Sequence, residues 1–500
     1  MKVDVVIIGS GIAGLTAGAI LLKNGKKVVI VEKQPNFGGA LRQFKRKKIS
    51  FDVGFHYTGC LGEGDILNQL WRYCDVLPEI SVLPFALEGY DQFEFRGIED
   101  PVRGYFSYMQ LAAELKSRFP AEHRGIDTYF ATVQHLCSEV PFYNTTLPLT
   151  PFLRGYKTSP SSLAAFLNSI TGNRRLQAIL AAPAFLYGVP VQQASLQIHA
   201  LVAHGYYSGA YSIVGGGQAI VDAFVSTLKR NGAELIADAA VTSIQLDKGA
   251  VAGVEITDRE KIICDQVIYT GHPAYMVDMV PKTVFRPAYR TRLRELKNSL
   301  SMFAVFGKSE RLLDTRRGPV NYFLLPGESD VLPEWSETPH NLRPMMMTGT
   351  RNELTECLQQ ERNGIILLRL GYWQDIEKFT SSPLNGRSEE YENFKRDIAA
   401  EMIGTAEQRW GDLCGSIEPL AVGTPLTFKD ELTAPEGCAY GAMHCLGQFN
   451  PDIRTRVSGL YLSGQSTLMT GVVGSSISGL VGAGEILGLE SLWEEVRKCN

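Results

Sequence analysis

The first stretch of this chain constrains it most. Asp4-Val5-Val6-Ile7-Ile8 is an apolar strand that runs into Gly9-Ser10-Gly11-Ile12-Ala13-Gly14. A small-residue helix follows through Leu22, and Lys27-Val28-Val29-Ile30-Val31 makes a second strand ending on Glu32. This is a βαβ unit with a G-x-G-x-x-G turn and an acid eighteen residues past Gly14. Gly9 permits the tight turn, Gly11 lets the backbone approach a pyrophosphate, and Gly14 lets helix and strand pack closely. The open N–H groups at the helix start attract the anion, and Glu32 can accept both ribose hydroxyls. A chance glycine-rich turn would not bring strand, helix and acid together in this order.

A second glycine pair points to FAD rather than NAD. Phe37-Gly38-Gly39-Ala40-Leu41-Arg42 follows the second strand and lets the chain run against the dinucleotide again. A hairpin is predicted next, with arms at Leu41 to Phe44 and Ile49 to Val53 and a polar turn Lys45-Arg46-Lys47-Lys48. It leads into Phe51-Asp52-Val53-Gly54-Phe55-His56-Tyr57-Thr58-Gly59. With these residues the chain resembles the flavin amine oxidase and carotenoid desaturase superfamily. Within it, the likeness is to the retinol saturase and carotenoid isomerase branch, whose members carry a similar Asp-x-Gly-x-His-Tyr stretch.

The C-terminus carries the same resemblance independently. Ser458-Gly459-Leu460-Tyr461-Leu462-Ser463-Gly464-Gln465 reads as a short buried strand ending in a Gly-polar pair, and Gly471-Val472-Val473-Gly474 opens a helix through Leu487. The resemblance implies that this segment closes the flavin site, with Gly464 and Gln465 near the ribityl and pyrophosphate portion and the helix start aimed at the isoalloxazine. A positive helix end there stabilises an anionic reduced flavin. Gly474, Ser478 and Gly482 fall on one helical face and are expected to allow close backbone approach. Many desaturases have Asp where this chain has Gln465; retinol saturase-like sequences tolerate Gln. Ala434-Pro435-Glu436-Gly437-Cys438-Ala439-Tyr440-Gly441-Ala442-Met443-His444 resembles a saturase-like stretch in which a tyrosine and a histidine follow a proline-glycine turn.

The implied fold is α/β: a Rossmann-type FAD-binding domain (GR2-like) interleaved with an α+β substrate domain. The flavin domain is expected at 1–80, 205–275 and 420–495, and the substrate domain at 80–205 and 276–420. Strands are predicted at Glu234 to Ala237, Val241 to Leu246, Val251 to Ile256 and Ile262 to Tyr269, after a helix from Gln218 to Asn231. Gly215-Gly216-Gly217 could be misread as a second nucleotide motif, but it lacks the G-x-G-x-x-G spacing. The resemblance places the backbone of Val241 against the adenine. It thereby implies a cofactor-binding set of Gly9, Ser10, Gly11, Ile12, Ala13, Gly14, Glu32, Lys33, Gly39, Ala40, Leu41, Val241, Gly464, Gln465, Val472 and Val473. Without a second fingerprint, an NAD(P)H donor could bind only transiently near the flavin, or another reductant serves.

Composition sets the remaining bounds. Five hundred residues with 45% hydrophobic and 20% charged content suit a two-domain globular enzyme. A net charge of −4 excludes a general nucleic-acid footprint. The nine cysteines show no C-x-x-C spacing, so neither a metal site nor a redox dithiol is expected. No signal peptide precedes the first strand, which gives a cytoplasmic expectation with reduced thiols. Gly459 to Gly484 runs 26 residues without a charge, but seven glycines, five serines and Gln465 argue for strand, turn and helix over a membrane span. Five basic residues between Arg42 and Lys48 could face anionic lipid, giving peripheral membrane contact; a solvated hairpin tip is the reading preferred here. Nothing signals an oligomeric state.

The inserted segments are rich in aromatic residues, including Phe142-Tyr143, Phe152, Tyr156, Phe166, Phe185 and Tyr187, and Tyr206-Tyr207 and Tyr211 come soon after. An ordinary helical core accounts for most of them; the resemblance is what implies an apolar small-molecule substrate. Pro344-Met345-Met346-Met347 fits an adaptable pocket or a core strand equally. A flavin moves hydride at N5, and the protein must place a proton or stabilise charge. His56, Tyr57, Tyr440 and His444 are the catalytic candidates, whereas His199 and His204 are read as structural. Three functions compete. The first is a flavin-dependent saturase, desaturase or isomerase of a carotenoid- or retinoid-like polyene. The second is an amine oxidase-type flavoenzyme, which would need an aromatic cage the sequence does not show. The third is a non-catalytic prenyl or lipid carrier, against which the intact fingerprint argues.

Overall fold

Parallel pairing of the apolar runs dictates the centre of the molecule. The computed structural model describes residues 1–155, 161–257, 261–311, 320–325, 338–350, 363–381 and 386–499; Tyr156 lies outside them. Strand β1 (Lys2–Ile8), helix α1 (Ile12–Lys23) and strand β2 (Val28–Val31) form the βαβ unit. β1 pairs in parallel with β2 on one side and with Ile262–Tyr269 on the other. Val5 and Ile7 enter one hydrophobic core and Val6 a second, so both faces of the strand are covered. The full seven-stranded sheet adds Ala250–Ile256, Val241–Asp247 and Glu234–Ile236, with Leu460–Leu462 alongside Ile262–Tyr269. Three stretches far apart in sequence thus share one sheet.

Helices pack onto this sheet through small residues. The closing helix Gly471–Leu487 lies on α1 at Gly479, where an added Cβ would stand 2.5 Å from the Ala13 carbonyl oxygen. On the face of Gly474, Ser478 and Gly482, the Cβ direction of Gly474 meets the Met469 backbone at 2.5 Å, the Ser478 hydroxyl accepts from the Gly464 N–H at 2.9 Å, and Gly482 makes ordinary contact with Ser463 and Ile268. The basic hairpin differs from expectation. Its strands run Gln43–Arg46 and Ile49–Asp52, joined by Lys47-Lys48 alone, both at positive φ. A two-residue turn of this hand matches the twist of the strands, so the ladder extends further than the charge pattern suggested.

A second seven-stranded sheet organises the inserted segments. Its order is Ile417–Gly423, Ser301–Ser309, Gly364–Gly371, Met345–Gly349, Asn321–Leu325, Asp91–Phe95 and Ile98–Gly104. The pairs are antiparallel except for Asn321–Leu325 with Asp91–Phe95, which joins the two insertions in parallel. The boundary expected at 420 falls inside the edge strand Ile417–Gly423, because that strand pairs with Ser301–Ser309 and cannot leave the sheet midway. One sheet face meets the long helix Glu389–Cys414 through Phe303, Met345, Met347 and Ile398. The other face, with Phe93, Phe323, Met346 and Leu368, joins the main core. The methionine run is therefore a buried strand that serves both faces. Helices Tyr108–Arg118, His123–Ser138, Leu163–Ile170, Arg174–Ala181 and Leu196–Tyr207 cap that second face. Within them His199 is wholly buried, its ring nitrogens 3.0 Å from the hydroxyls of Tyr129 and Tyr187.

Candidate functional site

The glycine turn is closed where the protein needs packing and open where a ligand would run. An added Cβ at Gly14 would lie 2.2 Å from the Gly9 carbonyl, and one at Gly9 would lie 2.4 Å from the Thr270 hydroxyl. At Gly11 an added Cβ meets nothing within 4 Å. Gly11 is also the N-cap of α1, and no side chain caps that helix start. Ile12, Ala13 and Gly14 therefore present their N–H groups to an open cradle, which suits a pyrophosphate. Behind it, Glu32 is buried with its carboxylate fixed: Oε2 accepts from the Ser10 N–H at 3.0 Å and the Ser10 hydroxyl at 2.7 Å, and Oε1 accepts from the Gln34 N–H at 2.9 Å. A carboxylate has about four lone-pair positions and three are taken here, so one remains for a ribose hydroxyl.

The tri-glycine at 215–217 makes the opposite case. It opens the helix Gly216–Arg230, but Asp52 already occupies that start and accepts from the Gly217 N–H at 2.7 Å. An added Cβ at Gly216 would collide with the same carboxylate at 2.3 Å. These glycines admit a protein side chain, and no phosphate cradle remains.

The second glycine pair lies on the first. The Gly38 N–H donates to the Ser10 carbonyl at 3.1 Å, and Gly39 begins a short 3-10 turn through Leu41 with its Cβ direction 3.3 Å from the Gly11 Cα. Gly54 contacts Ala40, which brings the Asp52 to Gly59 stretch to the same place. Lys33 is next to Glu32; burial pulls its ammonium below the usual range and Glu32 opposes that shift. The Ala239 N–H donates to the Glu32 carbonyl at 3.0 Å, which sets Val241 two residues from the acid.

On the closing side, Gly464 adopts a positive φ of 104° and its N–H donates to the Ser478 hydroxyl at 2.9 Å. Gln465 is half-buried beside it, and Val472 and Val473 lie half-buried in the first turn of the closing helix. No side chain caps that helix, and an added Cβ at Gly471 meets nothing within 4 Å. Two open helix starts thus belong to the two segments that the resemblance assigns to one dinucleotide. Thr270 staples them together and was not identified from sequence. Its hydroxyl donates to the Ile8 carbonyl at 2.9 Å and crowds Gly9, while its own carbonyl lies 3.1 Å from the Cβ direction of Gly464. The signal was a polar residue directly after the buried strand Ile262–Tyr269.

The four catalytic candidates separate into two places. Tyr57 is buried in an aromatic nest, its ring centroid 4.9 Å from Tyr206 and 5.1 Å from Phe85, with Tyr90 at 6.5 Å. Among the described residues its hydroxyl has no hydrogen-bond partner. Burial, then the neighbouring Asp91 and the Tyr206, Tyr90 and Tyr440 phenols, hold it well above the usual phenol range. Tyr440 borders the same nest. Its N–H donates to the Ser299 hydroxyl at 2.9 Å, and its carbonyl accepts from Thr470, the N-cap of the closing helix, at 3.3 Å. Burial raises the Tyr440 phenol, so both tyrosines carry their protons at neutral pH. His444 points elsewhere. Its Nε2 bonds the Gln465 carbonyl at 2.8 Å, with Asn450 against the ring at 3.4 Å, and burial lowers its pKa. His56 is half-buried between the hairpin and Tyr57. Among the described residues no group of acids, cysteines and histidines could hold a metal.

Lys45, Arg46, Lys47 and Lys48 form an exposed hairpin tip, where Arg46 lies over Phe44 and Lys47 pairs with Glu418; Arg42, half-buried, donates to the Gly39 and Glu431 carbonyls. Among the described residues no helix is long and apolar enough to cross a membrane.

Comparison with known proteins agrees with this geometry. The chain is similar to all-trans-retinol 13,14-reductase of Macaca fascicularis, 27% identical over 97% of this chain and 86% of the relative. It is also similar to the chloroplastic prolycopene isomerase of Arabidopsis thaliana, 25% identical over 97% and 83% respectively. Its fold matches a crystal structure of an oxidoreductase from Methanosarcina mazei with a TM-score of 0.66 at 17% identity, covering 96% of this chain and 99% of that one. Residues 12–307 match the sequence profile of the flavin containing amine oxidoreductases, and the chain belongs to that family as an FAD-dependent oxidoreductase.

Proposed function

We propose that the enzyme acts on C=C or C–C bonds of a long apolar polyene or isoprenoid, by saturation, desaturation or cis-trans isomerisation. The likeness over nearly the whole chain to a reductase of all-trans-retinol and to prolycopene isomerase carries this reading. When bound, FAD supplies hydride chemistry at N5. The chain's own residues hold the cofactor, exclude water and place a proton. Gly9 to Gly14, Glu32 and Lys33, Gly39 to Leu41, Val241, Gly464, Gln465, Val472 and Val473 are the proposed holding set. Tyr440 and Tyr57, both neutral phenols facing an apolar nest, are the proposed proton-bearing groups. His444 we assign to positioning, because its ring holds the Gln465 carbonyl and burial keeps it neutral. The amine reading gains little from the nest: its rings touch one another, whereas a cation needs ring faces across an open gap.

Anaerobic incubation of the holoenzyme with all-trans-retinol or prolycopene, with and without dithionite, tests the class. A product mass gain of two hydrogens indicates saturation, a loss indicates desaturation, and an unchanged mass with a shifted spectrum indicates isomerisation. Turnover of simple amines with no change in any polyene would reject the proposal.

Two expectations concern the cofactor. FAD is expected to be bound non-covalently, since the paired flavin segments carry no evident cysteine or histidine attachment motif. Acid precipitation should leave the yellow chromophore in the supernatant; colour in the pellet would disprove this. Glu32→Ala should weaken FAD binding roughly tenfold to a hundredfold through lost charge-assisted hydrogen bonds of about 1.5–3 kcal/mol. It also frees the Ser10 hydroxyl that Glu32 now holds. Unchanged FAD retention on dilution would remove Glu32 from the ribose.

A further inference from the structure

The second sheet carries a polar ladder on an otherwise apolar face. Asp91, Asn321 and Thr348 lie on adjacent strands, in direct register. They share the face of Phe93, Phe323 and Met346, which turns toward the helical cap. The Thr348 hydroxyl donates to Asn321 Oδ1 at 2.9 Å, and Asn321 Nδ2 donates to Asp91 Oδ1 at 2.9 Å. There the ladder stops. Among the described residues, Asp91 Oδ2 has no protein partner, although the residue is 94% buried (6% exposed). Asp91 lines a cavity of about 20 Å³ whose other walls include Leu111, Leu180, Leu186, Tyr206 and Phe323. That space accepts one group of the size of a water molecule. The unpartnered Tyr57 hydroxyl lies in the neighbouring nest, which shares Tyr90 and Tyr206 with the cavity.

We propose that Asp91 anchors a hydroxyl group at one end of the apolar ligand. A buried carboxyl with one free oxygen costs free energy until it is paired, and an alcohol can both donate to it and accept from it. Burial pushes the Asp91 carboxyl up to about 7, against the opposing pull of Asn321, so it meets a neutral partner without leaving a bare charge. A hydrocarbon end offers no such pairing and would leave the oxygen unsatisfied. An ammonium end would require the fully ionised form that burial disfavours.

The inference rests on the polyene reading above, and the test separates the two. Binding is measured in the dark with oxidised holoenzyme, by quenching of protein fluorescence. The probes are all-trans-retinol and the hydrocarbon with CH3 in place of its CH2OH. Wild type should bind the alcohol roughly tenfold to a hundredfold more tightly. Asp91→Leu should bind both equally, and Asp91→Asn should keep part of the preference, with thermal melts confirming folding. Equal binding of the two probes by wild type overturns the anchor and leaves the cavity to water, while the polyene reading stands. Binding of neither probe by wild type overturns both. If Asp91→Leu does not fold, the wild-type ratio and Asp91→Asn decide; an undiminished preference in Asp91→Asn with a methyl ether of retinol binding as well as retinol overturns the anchor.

Discussion

Gly11→Leu is expected to fold, to melt close to the apo wild type, and to purify colourless. The side chain projects from a residue with φ of −63°, which any amino acid adopts, into space where an added Cβ meets no protein atom within 4 Å. It would fill the cradle beneath the open N–H groups of α1. FAD affinity should fall at least about a hundredfold, which is about 2.7 kcal/mol. Added FAD stabilises the wild type by mass action and should leave Gly11→Leu unmoved in a thermal melt. Gly14→Val provides the contrast. Its Cβ would lie 2.2 Å from a backbone carbonyl that is itself part of the turn, so relief requires moving β1 or α1. A loss of about 4 kcal/mol or more is expected, with little soluble protein. A yellow Gly11→Leu enzyme would show that the pyrophosphate does not cross this position.

Tyr440→Phe is expected to retain FAD, bind the apolar ligand and lose turnover by roughly a hundredfold to ten-thousandfold, the usual weight of a positioned proton donor. Phenylalanine fills the same space against Gly188, and the backbone bonds to Ser299 and Thr470 do not involve the hydroxyl. Dithionite reduction of the flavin should be unaffected, because that step needs no proton from this residue. His444→Ala should behave differently and lower FAD retention, since it releases the Gln465 carbonyl. Near-normal turnover in Tyr440→Phe would make the unpartnered Tyr57 hydroxyl the next group to test.

The flavin-binding half was legible because its determinants are local. Gly9 to Gly14 and the Gly464-Gln465 pair each announce a backbone demand within a few residues, and Glu32 ends the strand that follows the first. What stayed hidden depends on partners from far away. The tri-glycine was rightly read as no nucleotide motif, yet nothing near Gly215 in sequence says that Asp52 fills the helix start, and nothing near Gly479 says that Ala13 lies against it. Tyr440 and His444, four residues apart in one motif, look like a pair in sequence and face different surroundings in space. Asp91 gave no signal at all: it opens a short strand with no motif around it, and only pairing with Asn321 reveals that it is buried and half-satisfied.

The strand order has a consequence for how the chain is made. Ala250–Ile256 covers only the start of Ile262–Tyr269, so Val267 to Tyr269 lack a neighbour on that side until Leu460–Leu462 arrives, and the closing helix that covers α1 arrives later still. At common rates of synthesis those roughly 190 residues take about ten to forty seconds to emerge. Throughout that interval the nascent chain holds an apolar sheet with a short unpaired segment at Val267 to Tyr269 and an uncovered α1, the sort of surface that invites self-association. The second sheet cannot act as a substitute, because its own Ile417–Gly423 margin is also late. Production of this enzyme should therefore be limited by what shields the half-built sheet, and slower growth temperature or holdase chaperones should raise yield more than any substitution at the finished surface.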